Sequence, residues 1–290
     1  MTQKSTDPNQ TIAPVAAPAP AEPIRVAFQG VPGAYSEEAV RQHFGSAVVS
    51  TPFETFDEIF EAVESGAVTY GMQPIENSLA GTVARSYELF LDYDLRIQGE
   101  VIVRVHHMLL APAGTAITDI KRVRSHPQAL AQCEKYLRRR GWEPVVWFDT
   151  AGSARDLAAH PEPQTASIAS ALAGQLYQLE ALDRNIEDEP FNFTRFFIIG
   201  RGDPPAPQRP KTSIMFTFLD RPGALYECLS EFAVRGINLP WQYWFYLDFE
   251  GHFQDERCAT ALLGLLRHAA TVKILGSYSA AIQPKEGAAK

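Results

Sequence analysis

Two lobes of βα units followed by a small α+β unit are the architecture this sequence predicts, an α/β class resting on three observations. From residue 24 to residue 200, apolar runs of strand length alternate with stretches of helical spacing, the signature of α/β layering. The run "GEVIVRVHHMLLA", residues 99–111, is long enough to pass from one lobe into a second. The proline-rich stretch "RGDPPAPQRPK" then separates these elements from a shorter set beyond residue 211.

The elements follow in order. "IRVAFQG" reads as a strand that runs into the glycine loop "GVPGAYSEEAV" and a helix capped near Ser36. In "TFDEIFEAVESG", Phe56, Ile59, Phe60 and Val63 fall at helical spacing, and Gly66 ends the element. "VTYGMQPIENS" is strand then loop, leading into a helix from about Val83. A second set begins with a short strand before "SHPQAL" and a helix to Arg140. It continues with strand "PVVWF", loop "DTAGSA", a helix, strand "TASIAS" and another helix. Two lobes joined by two crossings make a cleft lined by loops at strand ends. Residues 211–282 read as strand "TSIMFTFL", a helix from Pro222, the aromatic strand "WQYWFYLDF", a helix from about Asp255 and strand "VKILGSYS".

Composition narrows the function. The formal charge of -8 argues against nucleic acid, because phosphate neutralisation needs a basic surface. The dense basic run Arg138, Arg139 and Arg140 sits at a helix end, where cations complement the dipole. No stretch suggests a membrane protein. Cys133, Cys228 and Cys258 are far apart and embedded in apolar patterns, which points to a reducing compartment and the cytoplasm. Residues 1–23 contain "TIAPVAAPAPAEP" and read as a disordered tail rather than a signal peptide, and residues 283–290 as a second tail. The seven histidines show no metal-ligand spacing, and the glycines of "GVPG" lack the dinucleotide pattern.

What remains is a set of polar loops placed before helices, where free backbone N–H groups favour an anion. They are residues 30–36, 76–81, 125–128 and 150–153. Each reads singly as an ordinary helix cap. Four around one cleft point to a ligand with more than one carboxylate or phosphate. The stretch "FNFTRFFIIG", residues 191–200, adds a hydroxyl and a guanidinium inside a strand that otherwise reads as buried. Alternation puts Phe191, Phe193, Arg195 and Phe197 on one face and Asn192, Thr194 and Phe196 on the other. A buried Arg195 needs an anionic partner.

"FQGVPGAYSEEA", "GMQPIENSLAGTV", "SHPQALAQC", "DTAGSA" and "NFTRFFIIG", in this order, resemble the prephenate dehydratase catalytic domain. "DRPGALYECLSEFAVRGINL" followed by "FYLDFEGH" resembles the ACT regulatory domain that follows it in that family. The resemblance spans about residues 24–280. It implies a two-lobed catalytic domain like the type II periplasmic binding-protein fold at 24–200, with the second lobe at about 104–188. A linker at 201–210 and a ferredoxin-like ACT domain at 211–282 follow. The implied activity is the conversion of prephenate to phenylpyruvate with loss of carbon dioxide and water. Arogenate dehydratase, which acts on the amino-acid analogue, and a non-catalytic amino-acid sensor are the alternatives. The resemblance also implies no cofactor and no metal, a homodimer or homotetramer, and phenylalanine as effector.

Carried onto this chain, the Thr-Arg-Phe motif falls on Thr194, Arg195 and Phe196. Thr194 is expected to hydrogen-bond the departing hydroxyl. Arg195, on the opposite face, is expected to brace the strand through an internal carboxylate, with Glu76 the candidate, unless a bend aims it at substrate. Asn77, Ser78, Ser125, Gln128, Thr150 and Ser153 are the candidates for holding carboxylates. Phe196 either walls the ring or packs in the core. In the second domain the effector half-site is Gly223, Ala224, Leu225 and Tyr226. The family's "ESRP" segment has no counterpart, since Pro240 follows Leu239 and leads at once into "WQYWFYLDFEGH". Residues 237–240 span at most about 14 Å, whereas a strand of five or six residues covers about 17–20 Å. An incomplete ACT sheet and weak phenylalanine control are therefore expected.

Overall fold

A computed structural model describes residues 23–204, 212–214, 216, 222–236 and 254–265 of the chain. The chain divides into two compact units, Met1–Lys211 and Thr212–Lys290.

In the first unit, β1 (Arg25–Gln29), α1 (Tyr35–Phe44), β2 (Val49–Phe53), α2 (Phe56–Glu64), β3 (Tyr70–Asn77), β4 (Gly81–Thr82), α3 (Ala84–Asp92) and β5 (Arg96–Arg104) build one lobe. The second lobe holds β6 (Met108–Ala111), β7 (Arg122–Ser125), α4 (Pro127–Gln132), α5 (Glu134–Arg140), β8 (Glu143–Val146), α6 (Thr150–Ala159), β9 (Thr165–Ala169), α7 (Ala171–Leu176) and β10 (Glu180–Arg184). β11 (Phe193–Gly200) returns to the first. The sheets run β2-β1-β3-β11-β5, with β4 on β3, and β10-β6-β9-β7-β8. β1, β2 and β3 are parallel, and so are β7, β8 and β9, while β11 is antiparallel to both its neighbours. Two crossings, residues 105–107 and 185–192, connect the lobes. They are stitched together where Val105 N–H donates to Asn192 O at 2.8 Å and Ile186 N–H to His107 O at 3.1 Å.

The alternation read in β11 sorts its side chains onto two cores. Phe196 and Ile198 pack with Val26, Met72 and Val101 on the α1 face. Phe197 and Ile199 pack with Ile59, Phe60 and Leu89 on the α2 and α3 face. α2 starts at Thr55 with a capping box in which Thr55 and Glu58 satisfy each other's amides, and its apolar spacing buries Ile59, Phe60 and Val63 completely.

Several boundaries differ from the sequence reading. The cap of α1 is Ala34, not Ser36; no side chain caps it, and Glu37 instead accepts from Gly33 N–H at 2.7 Å. "DTAGSA" is the first turn of α6 rather than a loop, because the Asp149 carboxylate caps it through Gly152 N–H. The strand read in "PVVWF" is β8, which begins earlier, at Glu143, and ends at Val146. The helix expected to run to Arg140 is broken at Cys133. There the second crossing docks, with Asp188 N–H donating to Gln132 O at 2.7 Å and the Asp188 carboxylate accepting from Lys135 and Tyr136 N–H at 2.7 and 3.1 Å. β10 was not foreseen; its "EALDR" carries no uninterrupted apolar run.

In the second unit α8 (Ala224–Ala233) and α9 (Glu256–Leu265) are described. α8 begins after Gly223, whose φ of 87° suits a residue without Cβ. Ala224 is buried, whereas Leu225 and Tyr226 are exposed. Residues 212–214 and 216 are not in a strand. The rest of that expected strand, the expected gap at residues 237–240 and the two further expected strands lie outside the described residues. Among the described residues no helix is long and apolar enough to cross a membrane.

Candidate active site

Thr194 sits near the start of β11, paired with Asn77 on β3 and Val103 on β5. Antiparallel partners directly opposite each other point to the same face, which brings the Asn77 amide onto the Thr194 hydroxyl. Asn77 Nδ2 donates to Thr194 Oγ1 at 2.9 Å, to Asn192 Oδ1 at 2.8 Å and to Phe193 O at 3.2 Å. Its Oδ1 accepts from the N–H groups of Leu79 and Ala80 at 3.0 and 2.9 Å. Those two backbone donors fix which end of the amide is oxygen.

The network continues across the lobes. Asn192 Nδ2 donates to Gln132 Oε1 at 2.9 Å, and the same oxygen lies 2.8 Å from His107 Nε2. His107 Nδ1 lies 2.7 Å from the Tyr35 hydroxyl, which is 2.9 Å from His106 O. Asn192 and His107 are almost wholly enclosed. Burial pushes the Tyr35 phenol well above its ordinary range and pushes the His107 imidazole down, so Tyr35 keeps its proton and His107 stays neutral near neutral pH.

Arg195 points away from Thr194, as alternation required. Its guanidinium lies 4.7 Å over the Phe197 ring, and Nε donates to Glu100 Oε2 at 2.8 Å. Glu100 of β5, which the sequence reading did not name, is thus a bracing carboxylate. Glu100 is the cross-strand partner of Phe197, which puts it beside the ring that Arg195 covers. Glu76 lies directly across β3 from Arg195 and is half-buried. Pairing between β3 and β11 shifts between Arg195 and Phe196, where Ile75 is skipped. Phe196 is 1% exposed and belongs to the core.

The remaining candidates divide by what their polar atoms already do. Ser125 Oγ donates to Ile168 O at 2.6 Å, and Ser153 Oγ lies 3.0 Å from Arg124 O and 2.6 Å from Ser167 Oγ; both serines are fully buried. Ser78 Oγ donates to Phe191 O at 2.7 Å and accepts from Phe193 N–H at 2.9 Å, pinning the entry into β11. These three hydroxyls serve the backbone. Gln128 is exposed and Thr150 half-buried. The leading amides of all four polar loops have protein acceptors, from Glu37, Asn77, His126 and Asp149. Part of the backbone donor capacity of each loop is therefore already used within the protein.

The loops of the two lobes meet at one seam. Val31 and Ala34 pack against Ala151, Ala169 and Ala173, Ser170 Oγ donates to Gly33 O at 2.6 Å, and Tyr177 hydroxyl donates to Pro32 O at 2.6 Å. Gly33 has φ +91°, and a Cβ there would stand 2.8 Å from Ala173 Cα. That close approach is why glycine is needed. Tyr35, His107, Gln132, Asn192 and Glu100 were not among the candidates read from the sequence. One signal was available: Gln128 and Gln132 are four apart, hence on one face of a helical stretch. Among the described residues no group of three or more His, Cys, Asp or Glu side chains is arranged to hold a metal.

Residues 26–204 match the family model described as prephenate dehydratase. The chain belongs to the prephenate dehydratase family. It is 39% identical over 274 residues to a bifunctional chorismate mutase/prephenate dehydratase of Pseudomonas aeruginosa, covering 90% of this chain and 74% of that one. It is 40% identical over 283 residues to arogenate dehydratase 2 of Petunia hybrida, covering 88% and 71%. Among solved structures, prephenate dehydratase of Arthrobacter aurescens in complex with L-Phe is similar at 30% identity and a TM-score of 0.64, over 84% of this chain and 86% of that one. A structure described as GqqA, a novel type of quorum quenching acylase, is similar at 36% identity and a TM-score of 0.64, over 83% and 92%. The two-lobed α/β domain described above is the prephenate dehydratase fold, and the family takes in enzymes named for prephenate and for arogenate.

Proposed function

We propose that this protein catalyses the decarboxylative dehydration of a prephenate-type dicarboxylate in phenylalanine biosynthesis, with prephenate giving phenylpyruvate and arogenate, the alternative substrate, giving phenylalanine. The observation that carries this reading is the donation from Asn77 to Thr194. Because Oγ1 accepts there, the hydroxyl proton of Thr194 is directed elsewhere, toward a group that can accept it.

In the reaction, the bond from the ring to its carboxylate breaks and carbon dioxide leaves. The electron pair enters the ring and expels the hydroxyl group at the opposite carbon, which takes up a proton and leaves as water. Aromatisation drives the step, so the protein needs to orient the dicarboxylate and stabilise the departing oxygen. Thr194 donates to that oxygen. Gln128, Thr150 and the Gln132 amide are the side chains we assign to the carboxylates, with Glu76 at the rim. Arg195 acts by holding β11 to β5 through Glu100. The catalytic domain is placed at residues 24–200, the protein in the cytoplasm as a homodimer or homotetramer, and phenylalanine as a weak effector at Gly223–Tyr226.

The likeness to relatives named arogenate dehydratase supports the amino-acid substrate as strongly as the bacterial relatives support prephenate. A second reading, acyl-amide hydrolysis, draws on the likeness to the GqqA acylase. It requires an activated nucleophile beside a base, whereas Thr194 Oγ1 has an amide NH2 as its neighbour and the Ser125 hydroxyl is spent on a carbonyl. Incubating the purified chain separately with prephenate, arogenate and an N-acyl amide, and identifying the products, tests the proposal. Phenylpyruvate or phenylalanine is the expected product. Release of a free fatty acid with neither aromatic product would overturn it.

A further inference from the structure

We propose that His107 is a positioning residue whose Nε2–H holds Gln132 and, through it, Asn192, and so keeps in place the acceptor that the Asn77 amide uses beside the Thr194 hydroxyl. This rests on the function proposed above and names a residue for the same site.

The direction follows link by link. Asn77 Oδ1 accepts two backbone N–H groups, so Nδ2 is the end that faces Asn192 Oδ1 and Thr194 Oγ1. Asn192 therefore presents its NH2 to Gln132, whose near atom is then an oxygen. An oxygen facing His107 Nε2 at 2.8 Å requires Nε2 to carry the proton. In the neutral ring Nδ1 is then an acceptor, and the single proton of the Tyr35 hydroxyl, which lies 2.7 Å from Nδ1 and 2.9 Å from His106 O, is shared between those two acceptors. Every amide in the relay has one orientation that satisfies all its neighbours. If His107 carried its proton on Nδ1 instead, Nε2 would face the Gln132 oxygen as a second acceptor. Gln132 would turn its amide, Asn192 would lose its acceptor, and the strain would pass to Asn77. The ring sits where it can hold this choice, being 1% exposed and flanked by Tyr35 at 5.7 Å between ring centroids. The charged and titratable groups around it are Glu187, which accepts from the His107 backbone N–H and pairs with His106, and Tyr35 itself. Gln132 belongs to the second lobe, Asn77 and Thr194 to the first, and His107 and Asn192 to the two crossings. The groups that surround the Asn77 amide and the Thr194 hydroxyl are thus drawn from both lobes and both crossings.

The test has two readouts. Nitrogen-15 NMR of the histidine rings in the full chain near neutral pH is expected to show His107 as the Nε2–H tautomer, and an Nδ1–H ring would overturn the proposal whatever the enzyme's substrate. With prephenate and arogenate, His107→Phe is expected to lower kcat by at least about tenfold with KM within about twofold. His107→Gln, whose amide NH2 can stand where Nε2–H stood, is expected to recover most of the loss, and His107→Asn is not. Unchanged kcat in a folded His107→Phe protein, or equal recovery by Gln and Asn, would overturn it. A wild-type chain that turns over neither compound, while His107 still shows the Nε2–H tautomer, would instead locate the failure in the proposed function.

Discussion

Asn77 and Thr194 face each other across β3 and β11 with 2.9 Å between Nδ2 and Oγ1, and only the amide can be the donor. Asn77→Asp keeps the shape and keeps an oxygen for the Leu79 and Ala80 amides, but replaces the NH2 with a second oxygen. That oxygen would repel Asn192 Oδ1 and draw the Thr194 proton toward itself. Turnover is expected to fall by about 100-fold or more, with a thermal midpoint close to wild type. Near-normal kcat in Asn77→Asp would show that the direction of this bond has no part in the chemistry.

Arg195 is 9% exposed and its partner Glu100 about a third exposed. Removing a buried partner costs about 3–5 kcal/mol when the charge left behind cannot reach water, but Glu100 can rehydrate in part. Arg195→Ala also loses the contact over Phe197. We expect a loss of about 2 kcal/mol in denaturant unfolding, with Arg195→Lys recovering less than half because the planar fork is gone. A variant as stable as wild type but with greatly raised KM would place Arg195 on the substrate instead.

Gly33 touches the second lobe where the backbone of Ala173 in α7 comes close to it. Gly33→Ala forces a side chain into φ +91° and into the backbone of Ala173. The expected cost is about 1–3 kcal/mol, read as a lower thermal midpoint together with a raised KM, since the seam carrying the loops must open to admit the methyl group. If the midpoint and KM are both unchanged, the seam between Gly33 and α7 is not held as described.

The pH dependence of stability has a defined sign. Burial lowers the His107 pKa from 6.5. Between that value and the lower folded-state value the unfolded chain binds the extra proton and the folded chain does not, so stability contributed by the neutral ring is present above about pH 6.5 and is lost as pH falls. His43 is lowered in the same direction by burial. The wild-type thermal midpoint is expected to drop as pH falls below about 6.5, and His107→Gln to flatten part of that slope. An unaltered slope would mean that His107 is not the group responsible.

The fold was legible wherever one periodicity ruled a segment. The run Phe196, Phe197, Ile198 and Ile199 splits onto two cores because both faces of its strand are covered, and alternation alone foretold it. β10 escaped because "EALDR" pairs at a sheet edge, where backbone hydrogen bonds matter more than apolar pattern. At the site, Thr194, Asn77 and the sidedness of Arg195 could be read from local spacing and resemblance. Glu100 could not be picked out as a partner of Arg195, because register between strands is a tertiary fact. The relay through His107, Gln132 and Asn192 joins residues separated by 25 to 115 positions, a relation no local pattern encodes.

The proposed role of the Thr194 hydroxyl is to assist loss of water coupled to loss of carbon dioxide. It is tested most directly by measuring carbon dioxide and phenylpyruvate together when wild type and Thr194→Val are given prephenate, with arogenate and phenylalanine assayed in parallel. Equal amounts of carbon dioxide and aromatic product are expected from wild type with at least one of the two substrates, and turnover lower by about 100-fold or more in a folded Thr194→Val protein. Wild-type turnover in Thr194→Val, or no product from either substrate with the wild-type chain, would contradict it.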